Sequence, residues 1–220
     1  MADGTSMTTK ARFHQKVSEW FVANGRSFPW RTTKDPYAIL IAEMLLRRTT
    51  ATAVARVYSL FMSSFQTPQQ LAQAELATVE SMISSLGLQK TRARHLHKAA
   101  SALVEVHDCK VPSTLKELVA LPGVGFYVAS AVLNFAFSNA VPLVDGNVLH
   151  LVSRVFGLEF NGSIDINAWN FMGSFNGDVD YKSFYWGIID LVALVCLRRN
   201  PRCDTCPLST FCNWYKSHNG

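Results

Sequence analysis

The sequence has no apolar run long enough to cross a bilayer and no apolar stretch at its start. Its longest apolar runs, AILIAEMLL and GIIDLVALVCL, are short and each contains an acid, whereas a membrane-spanning helix needs about 20 apolar residues. The opening segment MADGTSMTTK lacks the apolar centre of a secretory signal. We therefore expect a cytoplasmic protein with no targeting signal and no membrane partner.

Glycine, proline and strand-like patterns are also scarce. The 220 residues include 12 glycines and 8 prolines and are 49% apolar, which suits a folded core rather than disorder. Apolar positions recur at three- and four-residue steps in seven segments: 11–24, 37–47, 51–64, 92–107, 126–137, 145–156 and 181–195. Only AVPLV (140–144) resembles a strand, and it is too short to build a sheet. The pattern predicts an all-α protein of eight to eleven helices.

Four of the five cysteines crowd near the C-terminus with the spacing C-x6-C-x2-C-x5-C: Cys196, Cys203, Cys206 and Cys212. Without a secretory signal, such a group indicates a metal site before a disulfide framework. Only one CxxC pair is present, so the wide spacing favours a 4Fe–4S cluster, with a zinc site or unrelated structural cysteines as alternatives. Three arginines lie between the ligands, and they either hold a phosphate or form a solvated loop: Arg198, Arg199 and Arg202.

A glycine turn and a carboxylate stand out in LPGVGFYVASAVLNFAFSNAVPLVDGNV (121–148). Gly123 and Gly125 allow a tight turn and a close backbone approach, and the amides of the following helix are able to receive a phosphate. An ordinary helix connection looks similar. Asp145 follows an apolar run and opens a helix, so it is either a plain N-cap or an acid that stabilises a cationic sugar and activates water. The net charge of +5 suits a polyanionic partner but is weak evidence alone.

Together, the hairpin, the acid 20 residues later and the cysteine spacing resemble the helix-hairpin-helix (HhH-GPD) DNA glycosylase superfamily. The likeness extends from about Phe28 to Cys212. FPWRTTKDPYAILIAEMLLRRTTA (28–51) is similar to the MutY-type block, and the LLRRTTA run is most similar to the mismatch thymine glycosylases (Mig type). The resemblance implies two helical lobes with a DNA-binding cleft between them. A barrel lobe with the hairpin is expected at 33–140, and a cluster lobe with a 4Fe–4S cluster at 10–32 and 141–220.

The same resemblance implies roles for particular residues. Asp145 corresponds to the acid that supports glycosidic bond cleavage, and Glu43 to a glutamate in the base pocket. From the residues alone, Glu43 interrupts an apolar helical face, which an acid avoids unless it has a purpose; the alternative is a partly exposed helix glutamate. The resemblance assigns further positions to DNA binding: Arg48, Leu88, Gly123, Gly125 and Asn147. Arg48 and Leu88 would fill the hole left by a flipped nucleotide, unless Leu88 is core packing.

Tyr127 bears on the subtype. Bifunctional members have a lysine there, which attacks the sugar and nicks the backbone. A phenol with an ordinary pKa near 10 cannot replace that amine, but it is able to stack on a base; plain hairpin packing is the alternative. One departure is Leu149-His150, where the family usually has a basic pair. A second is that the chain ends soon after Cys212, without the extra domain of MutY-type enzymes.

These features predict a monofunctional DNA glycosylase of base excision repair, without the lyase lysine. We expect it to act as a nucleoid-associated monomer on double-stranded DNA containing a mismatched or damaged base. Its target would be a flipped thymine or uracil opposite guanine, with Asp145, Glu43 and Tyr127 as catalytic residues. The rival hypotheses are an adenine glycosylase of MutY type, an enzyme for another modified pyrimidine, and a non-catalytic iron–sulfur DNA-binding protein.

Overall fold

The helical periodicity of the sequence is borne out by a computed structural model that describes residues 8–175 and 180–219. These residues form thirteen α-helices and three short 3-10 helices and contain no β-strand, so the all-α prediction is confirmed. The predicted count of eight to eleven helices is wrong, because helices as short as Leu76–Met82 and Ile166–Gly173 have too few turns to show a clear period. No described helix has the length and hydrophobicity that spanning a membrane requires.

In chain order the α-helices are α1 (Thr9–Asn24), α2 (Pro29–Thr32), α3 (Pro36–Leu46), α4 (Ala51–Ser64), α5 (Pro68–Ala72), α6 (Leu76–Met82), α7 (Gln89–Val106), α8 (Leu115–Ala120), α9 (Phe126–Phe135), α10 (Gly146–Phe156), α11 (Ile166–Gly173), α12 (Tyr181–Leu194) and α13 (Asn213–Asn219). The 3-10 helices are Ser84–Leu86, Cys203–Thr205 and Ser209–Phe211. The chain divides into two compact units. The central unit is Ser27–Ala140, and the terminal unit combines Met1–Arg26 with Val141–Gly220.

Helix starts are fixed locally by side chains that accept hydrogen bonds from first-turn amides. Asp35 caps α3 by accepting from the amides of Tyr37 at 3.0 Å and Ala38 at 3.3 Å, and Pro36 supplies the favoured first helical residue. Thr67 and Gln70 form a reciprocal capping box at α5. Such caps satisfy amides that have no partner inside the helix, so the boundaries follow from residues that the sequence displays.

In the central unit, α3 and α9 pack against each other as its most buried helices. Every residue from Tyr37 to Leu45 is buried, and so is every residue from Val128 to Phe135. A helix that is apolar all round belongs inside a core. The one charged side chain in these two buried stretches is Glu43, which is therefore placed deep in the unit by the apolar residues around it.

In the terminal unit, α1 packs along α12. Gly187 makes this approach possible, because a Cβ there would lie 2.7 Å from Cγ1 of Val17 and 2.9 Å from its carbonyl oxygen. Around this contact lies a cluster of edge-to-face phenylalanine rings, among them Phe13, Phe156 and Phe184. Such pairs stabilise a core beyond the area they bury.

A buried ion pair joins the end of α1 to α12. Asp190 is fully buried, and its carboxylate accepts from the Arg26 backbone amide at 2.7 Å and from Nε and Nη2 of the same residue at 2.9 and 2.7 Å. Three donors from one residue compensate the desolvation of the carboxylate. Removing one partner of such a pair leaves an uncompensated charge inside the protein.

We expect Arg26→Met to lower the free energy of unfolding by about 3 kcal/mol, because Asp190 would lose two side-chain donors and remain buried. Urea unfolding followed by circular dichroism measures the change. The matched control is Lys16→Met, which removes an equal charge from the exposed Lys16–Glu19 pair and should cost under about 0.5 kcal/mol. Equal effects of the two substitutions would contradict a stabilising role for the buried pair.

Candidate active site and cysteine cluster

Glu43 lies in the middle of α3 and is only 4% exposed. The alternative interpretation of Glu43 as a partly exposed helix glutamate is therefore wrong. Its neighbours in the helix, Ala42 and Met44, are also buried, and a carboxylate in such surroundings is retained at a cost in free energy. A buried acid is suited to recognising a polar group in a water-poor pocket, where a hydrogen bond is stronger than in water.

The glycine turn lies between α8 and α9, as its sequence predicts, and its two glycines have different roles. Gly123 has φ of +79°, and a Cβ there would lie 2.6 Å from the Cβ of His95 on α7, so no other residue fits without a shift. Its carbonyl accepts from Nη1 of Arg47 at 2.8 Å. Gly125 is exposed and has open space around it, which leaves the first amides of α9 accessible to an anion.

Tyr127 is the second residue of α9 and is partly exposed, next to Phe126, which is 60% exposed. Because α9 packs against α3, Tyr127 and Glu43 lie on neighbouring helices of the same unit. The aromatic ring is thus at the helix start that follows the turn, where the resemblance expects a base-pocket residue.

Arg48 and Leu88 follow two different helical segments yet line the same cavity of about 230 Å³, together with Met44, Thr91, Arg92 and His95. Both residues have left-handed backbone conformations, with φ of 54° and 52°. Leu88 is 56% exposed, so the alternative of core packing is excluded for it. The central unit therefore brings together two of the predicted DNA-binding residues.

Asp145 belongs to the terminal unit and caps α10. Its Oδ1 accepts from the backbone amides of Asn147 at 2.9 Å and Val148 at 2.8 Å, and its Oδ2 accepts from Nδ2 of Asn147 at 3.1 Å. Burial raises the pKa of this carboxyl above its ordinary value, while these hydrogen bonds and the charge of Arg198 oppose the rise. The interpretation of Asp145 as an N-cap is therefore compatible with its interpretation as a functional acid, because the cap holds the carboxylate in one orientation.

The four cysteines line one small cavity in the terminal unit: Cys196, Cys203, Cys206 and Cys212. Burial raises the pKa of the Cys196 thiol, and it raises the pKa of Cys206 to about 12. Burial therefore makes these two thiols harder to ionise than a free cysteine. Among the described residues, no group of three or more His, Cys, Asp or Glu side chains is arranged to hold a metal ion.

Arg154, which the sequence analysis missed, organises the loop that carries these cysteines. Its Nη1 donates to the Leu197 carbonyl at 2.9 Å and approaches Sγ of Cys196 at 3.5 Å, and its guanidinium lies 4.5 Å from the ring centre of Trp214. Within the basic loop, Nη2 of Arg198 donates to the carbonyl of Gly146 at 3.0 Å, beside Asp145. These contacts link the cysteine loop to both ends of α10.

Two segments of the chain match known protein families. Residues 41–166 match the HhH-GPD superfamily of base excision DNA repair proteins, and residues 196–212 match the iron-sulfur binding domain of endonuclease III. The first segment includes the buried glutamate, the glycine turn and the capping aspartate. The second begins at Cys196 and ends at Cys212.

Similar proteins include a thymine-DNA glycosylase of Aeropyrum pernix, with 36% identity over 92% of this chain and 94% of that protein. A thymine/uracil-DNA glycosylase of Methanothermobacter thermautotrophicus is 31% identical over 98% of both chains. An adenine DNA glycosylase of Buchnera aphidicola also matches, with 32% identity over 95% of this chain and 60% of that protein.

Among solved structures, a thermostable thymine-DNA glycosylase has a TM-score of 0.89 and 30% identity, covering 94% of this chain and 97% of its own. A trapped covalent intermediate of endonuclease III with DNA shares the fold, with a TM-score of 0.83, 24% identity, and coverage of 97% of this chain and 100% of its own. The matched segments, the near full-length relatives and the shared fold agree, and the chain belongs to the HhH-GPD superfamily of base excision DNA repair proteins.

Proposed function

We propose that the protein is a monofunctional DNA glycosylase that hydrolyses the N-glycosidic bond of thymine or uracil opposite guanine. The observation that carries the proposal is the likeness, along nearly the whole of both chains, to thymine and thymine/uracil glycosylases. The adenine glycosylase is similar over a smaller part of its own length, and adenine remains the second candidate substrate. A mispaired base is easier to extrude from the helix than a paired one, which supplies part of the selectivity.

Asp145 would stabilise the cationic sugar and orient the attacking water. Its Oδ1 is held by two backbone amides of α10, whereas Oδ2 accepts from one side-chain amide, that of Asn147. This arrangement supports the proposal because a carboxylate fixed through one oxygen presents the other in a defined direction. A negative charge held in place needs no reorganisation as positive charge develops on the sugar.

Glu43 and Tyr127 would hold the flipped base. A thymine or uracil carries an imide N–H, and a buried carboxylate such as Glu43 is able to accept a hydrogen bond from it. The Tyr127 ring supplies a face on which a base stacks. Because this side chain is a phenol where bifunctional relatives have an amine, we infer base removal without a covalent sugar intermediate.

The phosphate backbone would be bound by the first turn of α9. The accessible amides after Gly125 and the positive end of the helix dipole both favour an anion. Contacts of this kind position a duplex without reading its sequence. Arg48 and Leu88 would enter the space left by the flipped nucleotide, and Asn147 would assist Asp145 at the terminal unit.

The four cysteines would hold a 4Fe–4S cluster as thiolates. The chemistry of the donors supports this group, because four sulfur side chains line one cavity and the segment matches an iron-sulfur binding domain. Arg154 would help by neutralising thiolate charge near Cys196, as its 3.5 Å approach suggests. When bound, the cluster would cross-link four points of the loop and fix it beside α10.

The substrate assignment is tested by single-turnover assays on duplexes with T·G, U·G and A·8-oxoguanine pairs, each with and without hot alkali. We expect base release from T·G and U·G, with strand breaks only after alkali, because Tyr127 cannot nick the backbone. Excision of adenine alone would support the second candidate. DNA binding without release from any duplex would support a non-catalytic protein.

Tyr127→Lys supplies the positive control for lyase chemistry. An amine at this position should form some borohydride-trappable product with the sugar, whereas the Tyr127→Phe variant should form none. If Tyr127→Lys traps nothing while still releasing the base, the phenol does not face the sugar.

We expect the single-turnover rate to rise with pH through one ionisation whose midpoint lies above about 3.9, the pKa of a free aspartate. The rate rises with pH because the deprotonated form of Asp145 is the active one, and the midpoint is shifted upward because burial raises the pKa of Asp145.

Asp145→Asn should abolish base release and keep DNA binding within a few-fold. A parental rate in Asp145→Asn, or a rate independent of pH down to about 4, would overturn the assignment.

Protein purified without oxygen should contain about four iron and four acid-labile sulfide atoms per chain and absorb visible light. Cys203→Ser should lower the iron content, because it removes one of four ligands. Cys109→Ser is the matched control, since Cys109 belongs to the central unit and is not one of the residues that line the cysteine cavity. A colourless protein with one zinc per chain would refute the cluster.

A further inference from the structure

Arg92 is a charged side chain that the proposed chemistry leaves unexplained. It lies in the first turn of α7, is 6% exposed, and its guanidinium donates to main-chain carbonyls: Leu86 at 3.4 Å, Gly87, and Arg47 at 2.5 Å. Among the described residues, no carboxylate forms an ion pair with it. Burial lowers the pKa of Arg92, and the nearby charge of Arg47 lowers it further.

Although three carbonyls accept from the guanidinium, its surroundings are otherwise unfavourable for a cation. Burial removes water from the charge, the positive end of a helix repels it, and uncharged carbonyls compensate it less than a carboxylate does. An apolar side chain of similar volume would avoid this cost but would leave the bound carbonyls without their donor. The role of Arg92 therefore depends on which peptides its guanidinium binds.

Two of those three contacts are made to the peptides that precede Arg48 and Leu88, both of which have left-handed backbone conformations. The Arg47 carbonyl belongs to the peptide that leads into Arg48, and the Gly87 carbonyl to the peptide that leads into Leu88. A left-handed conformation costs a residue with a side chain about 1 kcal/mol or more. The planar fork of a guanidinium is able to bind both peptides at once in fixed geometry, so Arg92 couples the two strained residues to each other.

The coupled pair is also tied to the glycine turn. The Arg47 side chain donates to the Gly123 carbonyl at 2.8 Å, and His95, one helical turn after Arg92, packs against the backbone of Gly123. The distance between the phosphate-binding turn and the pair Arg48 and Leu88 is thereby set within the central unit before any DNA is bound.

We propose that Arg92 is a positioning residue that holds Arg48 and Leu88 as one preformed wedge for the hole in a duplex from which a nucleotide has been extruded. The inference rests on the proposed function, which assigns these two residues to that hole. Ordering both loops in the free protein removes an entropic cost from binding. Affinity for a duplex with a hole should therefore depend on Arg92 much more than affinity for an intact duplex.

The test compares the dissociation constants for a fully paired duplex and for one with a tetrahydrofuran abasic analogue opposite guanine. Arg92→Met should leave the paired duplex within about threefold of the parent and weaken the abasic duplex at least about tenfold. The fluorescence rise of 2-aminopurine placed beside a T·G pair, which reports flipping, should be lost. Arg56→Met, which removes an equal charge from an exposed site on α4, should change neither.

A double-mutant cycle then separates positioning from general damage. In a protein that already carries Arg48→Ala and Leu88→Ala, Arg92→Met should weaken abasic binding by less than about twofold, because the residues it positions are gone. Full additivity, or equal losses on both duplexes, would overturn the proposal. If Arg92→Met fails to fold, Arg92→Lys decides, because an ammonium keeps the charge but lacks the planar fork whose two nitrogens bind the two peptides. Unchanged abasic affinity in that variant would likewise overturn the proposal.

The abasic duplex has no base to release, so this result is independent of the mismatch assays. If the parent enzyme excises a different base but Arg92→Met still weakens abasic binding selectively, the substrate assignment is wrong and the positioning role of Arg92 stands. If the parent excises thymine and uracil but Arg92→Met has no selective effect, the substrate assignment stands and the positioning role is wrong.

Discussion

The cost of burying a charged side chain is the constraint on which the rest of this structure depends. Among the described residues, three charged side chains are buried: Glu43, Arg92 and Asp190. Each has a different solution to the same problem. Asp190 is compensated by an arginine within the terminal unit, Arg92 donates to main-chain carbonyls, and Glu43 lies among the apolar residues of α3. Perturbed, buried charges of this kind cluster at functional sites.

Under the proposed function, Asp145 has to meet a structural and a chemical need with one side chain. A capping aspartate must accept backbone amides, and a catalytic carboxylate must stay ionised and keep its orientation. The amides that Asp145 caps favour its charged form, while burial opposes it, and burial is the larger effect on its pKa. The helix start therefore offsets part of the cost of placing a carboxylate where water is excluded.

The sequence was sufficient to predict the helical class, because long helices such as α4 and α7 display several turns of apolar periodicity. It was insufficient for α6 and α11, which have 7 and 8 residues, or about two turns each. The glycine turn was predictable because glycine marks backbone freedom, but only the structure separates Gly123, which packs against His95, from Gly125, which faces open space. The burial of Glu43 could be inferred from its apolar neighbours, whereas the exposure of Leu88 could not, since a leucine between helices usually lies inside.

Arg92 and Arg154 were missed for a shared physical reason. Both bind backbone carbonyls, and every residue has a carbonyl, so no partner residue type marks such a contact in the sequence. A carboxylate partner such as Asp190 can at least be sought among a few acids. Carbonyl partners depend on how peptides are oriented after the chain has folded, and a left-handed residue turns its preceding carbonyl in an unusual direction. The two arginines therefore stabilise loop geometry that periodicity does not encode, one at Arg48 and Leu88 and the other at the cysteine loop beside Asp145.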